Sequence, residues 1–424
     1  MWLRLAAIAA FAAWPCAWAQ ATARLSLDDA FLRVARVHPQ LRLADARERV
    51  LEAEREHAAL PPGLSMAASV ENAFGSGRAR ALDEAEITLT LASVLERGGK
   101  LDARRALAQS RIDALAIERE TQRLDLLAET ARRYLAVVAA RRQDAIARVD
   151  VAQRARAVDA ARQRLQAGAS PESVLLTAQA ALARAEIEHA RALQRGDVAR
   201  RHLAALWGQR EPDFDVADAE PDRLADIGEV DALSALLDAT PELAQFAGER
   251  RIREARLRLA RRAARADLEW QVGVRRLQAN GDSALTFGLA LPLGAARRAQ
   301  PEIRAAEAEL AALEIEREAG GLSLHATLVE AHGRYRGAQM EVRRLRDEVQ
   351  PLLARAEAAA ARAYRAGAIS YLEWSQLQAE RIDAQRRQLD VAVDAQIALI
   401  EIQRLTGQAF VAAPAAARAQ GAQP

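Results

Sequence analysis

Six histidines and two internal methionines are the side chains best suited to bind a metal or shuttle a proton, and their spacing works against both. His38, His57, His189, His202, His325 and His332 are scattered along the chain. His325 and His332 lie seven residues apart, about 10 Å along a helix, which is too far to share one metal ion. Met66 and Met340 are too few and too distant to hold a soft copper or silver ion. Gly98-Gly99-Lys100 lacks the preceding glycine spacing of a phosphate-binding loop, and there is no nucleophile elbow. Cys16 is the single cysteine and falls in a leader-like segment, so disulfides and thiolate metal sites are not expected in the mature chain. Lipid attachment is not expected either, because Ala13-Trp14-Pro15 before Cys16 lack the leucine and small residues that precede a lipidated cysteine. The expectation is therefore no enzyme, no cofactor and no resident metal. Two small features remain. Glu373 stands three residues after Ser370, the spacing of a helix capping box. Gly168 and Gly367 sit between helical stretches, where a turn calls for left-handed backbone.

Composition narrows the class further. Net charge is +2 with an isoelectric point near 9.0, and both signs are interspersed. Arg250-Arg251 and Arg261-Arg262 alternate with Glu249, Glu254 and Asp267, the pattern of a solvated helix face and not of a one-sided nucleic-acid stripe. Alanine makes up roughly a quarter of the chain beside abundant Arg, Glu and Leu, which signals long helices or coiled coil. At the start, Arg4, the apolar run Leu5 to Trp14 and Ala17-Trp18-Ala19 read as a secretory signal over 1–19, with the mature chain beginning near Gln20. That run is too short to span a bilayer, and no other run approaches the roughly 20 apolar residues that spanning requires.

The elements that must carry any function are written twice. His38-Pro39-Gln40-Leu41 answers to Thr240-Pro241-Glu242-Leu243, and Ile87-Thr88-Leu89-Thr90-Leu91 to Leu285-Thr286-Phe287-Gly288-Leu289. Leu165-Gln166-Ala167-Gly168-Ala169 answers to Tyr364-Arg365-Ala366-Gly367-Ala368, and Trp207-Gly208 to Thr406-Gly407. The expected division is a first repeat over 20–208, an acidic, proline-bearing connector over 209–226, a second repeat over 227–407 and a disordered tail over 408–424. Each repeat reads as a short helix (the first capped by Ser26), a helix of about 20 residues, two strands, a very long helix and a return helix half as long. The long helices run from Lys100 to Arg164 and from Pro301 to Arg365, and the first would reach about 100 Å. Stacking the 20-residue helices end to end on the return helices would complete a cylinder of paired rods.

Strands are expected over about 64–72, 86–96, 267–277 and 284–293, where the period switches to two. Leu268, Trp270, Val272 and Val274 alternate with Glu269, Gln271, Gly273 and Arg275, and the lengths suit tilted membrane strands. A soluble sheet with one face on a helical core alternates in the same way. A spanning sheet must close, because hydrocarbon tolerates no open edge. Four strands cannot form a pore, whereas three chains would supply twelve.

With Val70-Glu71-Asn72-Ala73-Phe74-Gly75 in the first hairpin, Leu95-Glu96-Arg97-Gly98-Gly99-Lys100 leaving the second strand, and Tyr364-Arg365-Ala366-Gly367 followed by Tyr371-Leu372-Glu373, the chain resembles the TolC-like outer membrane factor family. Within that family the likeness is to the CzcC-type heavy-metal efflux branch. It covers Leu25 to Gly407. It implies a mainly helical fold with a small β part: a homotrimer whose twelve-stranded outer membrane barrel continues into a periplasmic α-helical tunnel. It further implies a periplasmic adaptor protein and an inner membrane RND pump as partners. The adaptor-docking helix tips would comprise Gly168, Ala169 and Ser170 with Gly367, Ala368 and Ser370. Glu373 falls where related channels place a gate carboxylate. Val174 holds the equivalent first-repeat position, with Glu172 nearby, so a two-tier acidic gate is not expected. Many members of this branch are lipidated, and this chain departs from them.

Three readings follow. The first is a passive exit duct of a tripartite efflux system, with heavy-metal cations as cargo and the pump as energy source. The second is the same channel serving drug export or type I protein secretion. The third is a periplasmic coiled-coil scaffold without a pore, for which the alternating segments would be incidental.

Overall fold

The computed structural model of this 424-residue chain describes residues 24–410. The signal expected over 1–19 and the stretch 411–424 of the expected tail lie outside the described residues.

The chain begins with a two-residue strand β1 (Arg24–Leu25) and helix α1 (Leu27–Val37). Ser26 caps α1 as its sequence suggests. Its hydroxyl accepts from the Asp29 amide at 3.1 Å, and the Asp29 carboxylate takes the Ser26 amide at 3.2 Å. Pro39 opens helix α2 (Pro39–Ala58), and the His38 imidazole Nδ1 accepts from the Gln40 amide. Strands β2 (Ser65–Glu71) and β3 (Glu86–Leu95) follow, then α3 (Lys100–Gln166) and its return helix α4 (Glu172–Ala204), which tightens into a 3₁₀ turn over Ala205–Trp207. The second pass comprises β4 (Asp215–Val216), α5 (Val230–Ser234), a 3₁₀ turn (Leu237–Ala239), α6 (Pro241–Ala263), β5 (Leu268–Leu277), β6 (Ser283–Ala290), α7 (Ala295–Arg344), α8 (Gln350–Arg365) and α9 (Tyr371–Thr406).

The 67 residues of α3 span about 100 Å, and α4 matches half of them with 33 residues. The remaining half of α3, nearer the strands, is covered by α2 and α6. Arg47 pairs with Glu118 at 2.8 Å and Arg111 with Glu54 at 3.5 Å, while Gln245 on α6 donates to Thr121 at 2.8 Å. On the second rod, Arg250, Arg256 and Arg261 of α6 reach Glu314, Glu309 and Glu307 of α7.

The second rod departs from its sequence-based reading in two ways. It begins at Ala295 and not at Pro301, because Gly294 in the left-handed region (φ +80°) turns the chain straight out of the sheet. It also contains a π-helical turn, Leu345–Val349, between α7 and α8. Pro351 follows, lacking an N–H and crowding the carbonyl four residues before it. The Gln350 amide bonds to the carbonyl of Leu345, five residues back, which widens the turn ahead of the proline.

Halfway along the rods the segment expected as a connector is packed, not free. β4 pairs in parallel with β1, a contact the sequence did not suggest, and Arg141 donates to the Val216 carbonyl at 2.8 Å. Tyr134 donates to the Leu25 carbonyl, and Tyr335 and Gln339 both donate to that of Ala225. Two apolar clusters form here. One joins Leu25, Leu27, Val34, Leu126, Leu203 and Val216; the other joins Leu233, Leu237, Leu328, Tyr335, Leu399 and Leu405. Leu328 is fully buried. Leu328→Ala is expected to cost about 2–5 kcal/mol of stability through lost transfer energy and an unfilled cavity. The readout is a lowered thermal midpoint of the detergent-extracted protein, and an unmoved midpoint would show that this cluster does not carry the fold.

Candidate functional site

The four long strands form one antiparallel sheet in the order β2-β3-β5-β6, with β2 and β6 at unpaired edges. Because successive side chains point to opposite faces, the register decides which residues share a surface. Met66, Leu91, Val272 and Phe287 lie in one rank across all four strands, and Ala68, Leu89, Val274 and Leu285 in the next. The opposite face carries Ser65, Ala92, Gln271 and Gly288, then Ala67, Thr90, Gly273 and Thr286. The apolar face is bare of protein: Leu285, Phe287 and Leu289 are 69%, 78% and 74% exposed. A soluble sheet would bury that face, so the arrangement suits a surface against lipid hydrocarbon. On the polar face, a Cβ at Gly273 would stand 2.8 Å from the Leu89 carbonyl oxygen, so glycine keeps this rank flat.

Where sheet meets rods, the two repeats are clamped together. Asp267 accepts from the Arg97 amide at 3.0 Å and from the Lys100 ammonium at 2.7 Å. Burial pushes the Asp267 carboxyl pKa up, but the hydrogen bonds from Lys100 and Arg97 outweigh it and hold the group below its ordinary value. Gly98 adopts φ +82°, and a Cβ there would stand 2.6 Å from the Arg265 side chain, so this turn accepts only glycine without rearrangement.

At the far end of the rods the two helix hairpins lie side by side. Gly168 (φ +68°) and Gly367 (φ +82°) each take the left-handed backbone that ends a helix. The Ala169 amide reaches back to the Arg164 carbonyl at 2.8 Å, and the Ala368 amide to that of Ala363 at 2.9 Å, so the two turns are built alike. Their exits differ. Ser370 and Glu373 form the full capping box: the Ser370 amide and hydroxyl donate to the Glu373 carboxylate at 2.7 and 2.8 Å, and the Glu373 amide donates to the hydroxyl at 3.3 Å. Ser170 has no such role, since Pro171 occupies the cap position of α4 without a side-chain bond. Val174 packs against the apolar cluster of the tips, while Glu172 is exposed in the first turn of α4.

That cluster was not singled out from the sequence. Tyr364 stacks on Trp374 at 5.0 Å, Tyr371 meets Trp374 edge-on at 6.5 Å, and the Arg164 guanidinium lies 5.1 Å from the Tyr364 ring centre. Arg164 also donates to the Tyr364 carbonyl at 2.7 Å and the Ala169 carbonyl at 3.2 Å, tying one tip to the other. Burial pushes the phenol pKa of Tyr364 and of Tyr371 up. The available signal was three aromatics within eleven residues of a chain that is 4% aromatic.

The histidines are not brought together. His189 pairs with Asp144, His325 faces the Ser234 hydroxyl and His332 the Gly228 carbonyl. Among the described residues, no group of three or more His, Cys, Asp or Glu side chains is arranged to hold a metal ion. No described helix is long and apolar enough to cross a membrane.

Comparison with solved structures places this architecture. The chain superposes on the structure of CusC, a protein described as forming a transmembrane channel, with a TM-score of 0.77 over 91% of this chain and 92% of that one, at 16% identity. It superposes on the outer-membrane channel OprN with a TM-score of 0.74 over 91% and 90% of the two chains, at 19% identity. The fold is that of these outer membrane channels. In sequence, the profile of the outer membrane efflux protein family matches residues 33–209. The cobalt-zinc-cadmium resistance protein CzcC of Cupriavidus metallidurans is 29% identical over 213 residues, covering 50% of this chain and 51% of that protein. The match thus spans about half the length of that relative.

Hydrogen bonds from Ser370, first from its amide and then from its hydroxyl, hold the Glu373 carboxyl below its ordinary pKa of 4.5. The sign follows: a carboxyl whose pKa is depressed on folding contributes stability above its unfolded value and loses it as pH falls through the folded one. Ser370→Ala is expected to speed amide hydrogen exchange in the first turn of α9 at neutral pH. Lowering the pH from about 5 toward the depressed folded pKa is expected to reduce the protection of the same amides, relative to the intrinsic exchange rate at each pH, in the unsubstituted chain. Equal exchange with and without the hydroxyl would show that the box does not hold this turn.

Proposed function

We propose that this chain is the outer membrane channel of a tripartite, RND-type efflux system, a passive exit duct and not an enzyme. The observation that carries the reading is the apolar face that runs across all four strands, whose two outer edges are unpaired. Hydrocarbon offers no hydrogen bonds to such edges, and three copies joined β6 to β2 close them into a twelve-stranded barrel. The protein then resides in the outer membrane, with α1–α9 forming the periplasmic tunnel and the repeats 20–208 and 227–407 contributing equivalent walls. Heavy-metal cations are the proposed cargo class, supported by the likeness to a cobalt-zinc-cadmium resistance protein. Selection of the ion falls to the pump, since the described part of this chain gathers no ligand set.

The tips complete the proposal. Gly168, Ala169 and Ser170 with Gly367, Ala368 and Ser370 form exposed or half-exposed turns at one end of the rods, where a periplasmic adaptor can dock. Glu373, exposed beside them, supplies one carboxylate per copy to a periplasmic ring that favours cations. Its bonds to Ser370 keep it ionised and fixed in place, so capping and charge act together.

Native mass after mild detergent extraction of the cell envelope tests the assembly. A trimer that needs detergent is expected, and a monomer or dimer released by salt alone would overturn the channel. Glu373→Gln is expected to lower the cation preference of the reconstituted pore, and unchanged reversal potentials would remove Glu373 from the gate.

A further inference from the structure

Beyond Glu269 at the helix end, the polar face of the sheet carries charge only in its last two ranks, at the end of the strands away from the helices. There, Glu71 on β2 and Glu86 on β3 stand directly opposite each other across the ladder. Like charges placed so are unfavourable unless one is compensated. Arg275 on β5 supplies the compensation. Its Nη1 donates to Glu86 Oε2 at 2.9 Å, and its Nε donates to the buried Thr88 hydroxyl at 3.1 Å. Asn72 donates to the other Glu86 oxygen at 3.1 Å. Glu86 is thus held from two sides, while Glu71 lies exposed on the same face. The register places Arg276, the neighbouring arginine, on the apolar side, where its guanidinium turns back to the Gly281 carbonyl and the Ser283 hydroxyl. Arg275 shares the rank behind with Ser69, Thr88 and Ala284, and the next rank holds Ala67, Thr90, Gly273 and Thr286, all small or hydroxyl-bearing.

We propose that Arg275 sets the charge selectivity of the outer mouth: it neutralises Glu86 and leaves Glu71 as the net charge of a collar through which cargo leaves. The inference rests on the closed barrel proposed above, which turns the polar face inward and repeats the collar in every copy. Two carboxylates against one guanidinium give each copy one excess negative charge, so the exit favours cations over anions. The collar lies at the opposite end of the molecule from Glu373 and acts independently of it. Arg275 is a guanidinium because two donors must be aimed in a fixed plane at Glu86 and Thr88.

The two residues predict opposite signs, which a merely structural role would not. The measurement is the reversal potential of reconstituted channels in a potassium chloride gradient. Glu71→Gln is expected to lower the potassium-to-chloride permeability ratio about twofold at low salt, where the Debye length of about 30 Å lets a collar charge act across the lumen. Arg275→Gln frees Glu86 and is expected to raise the ratio by a similar factor. Arg275→Lys keeps the charge and is expected to leave the ratio near that of the unsubstituted channel. Both shifts should fade in 1 M salt, where the Debye length is about 3 Å. Should Arg275→Gln fail to assemble by native mass, Glu71→Gln decides alone, since Glu71 is exposed. Conducting channels whose ratio does not move, or moves the same way in both variants, overturn the collar. An unsubstituted protein that forms no channel overturns the duct instead.

Discussion

A backbone amide or carbonyl left unpaired in hydrocarbon costs several kcal/mol, and this requirement governs the whole molecule. The sheet satisfies its inner ladders within one chain and leaves β2 and β6 with a free edge each. On the assembly proposed above, neighbouring copies would pair these edges. The rods carry the same message in weaker form. Ile315, Leu322 and Val329 recur at seven-residue spacing on α7, and Leu176, Ile187 and Val198 at eleven-residue spacing on α4, all exposed in the isolated chain. Apolar stripes of this kind are seams awaiting a neighbouring helix.

Within the chain, stability is concentrated where alanines let the rods approach. Ala128, Ala157, Ala255, Ala392 and Ala395 are completely buried. Around them runs a dense lattice of arginine–carboxylate pairs, most of them more than a third exposed, such as Arg47–Glu118 and Arg256–Glu309. Exposed pairs of this kind contribute about 0–1 kcal/mol each. Their main effect is to keep long helices soluble and in register, and the packed equator does more of the holding. Tyr134 and Tyr335 illustrate the difference: burial pushes both phenols up to about 12, and each spends its hydroxyl on a backbone carbonyl, Tyr134 on Leu25 of β1 and Tyr335 on Ala225 of the connector.

What the sequence revealed was what local physics determines. Ser26 and Ser370 cap helices through bonds three residues long, and the alternation of Leu285, Phe287 and Leu289 needs no distant partner to be seen. The mainly helical fold with a small sheet was legible on those grounds. The π-helical turn was legible in principle from Pro351, yet its position is set by which carbonyls the proline displaces. Contacts such as Arg164 on Tyr364 or Arg275 on Glu86 join residues 200 and 189 positions apart, so only the register of the folded sheet and the pairing of the tips bring them together. Of the candidate site, the glycine turns and the Glu373 cap were readable. The aromatic cluster between them was not, because it is assembled from two helices and a bond across repeats.

The clamp between Lys100 and Asp267 has a chemical consequence. Lysine occurs once in the whole sequence, against 60 basic residues in total, and that one lysine closes the joint between sheet and rods. A compact ammonium on a long stem fits where a planar guanidinium would demand a second partner. Its side chain is only 13% exposed, so amine-directed reagents meet a single, shielded side-chain target. Labelling at this position reports whether the joint is shut, with no background from the rest of the protein's side chains.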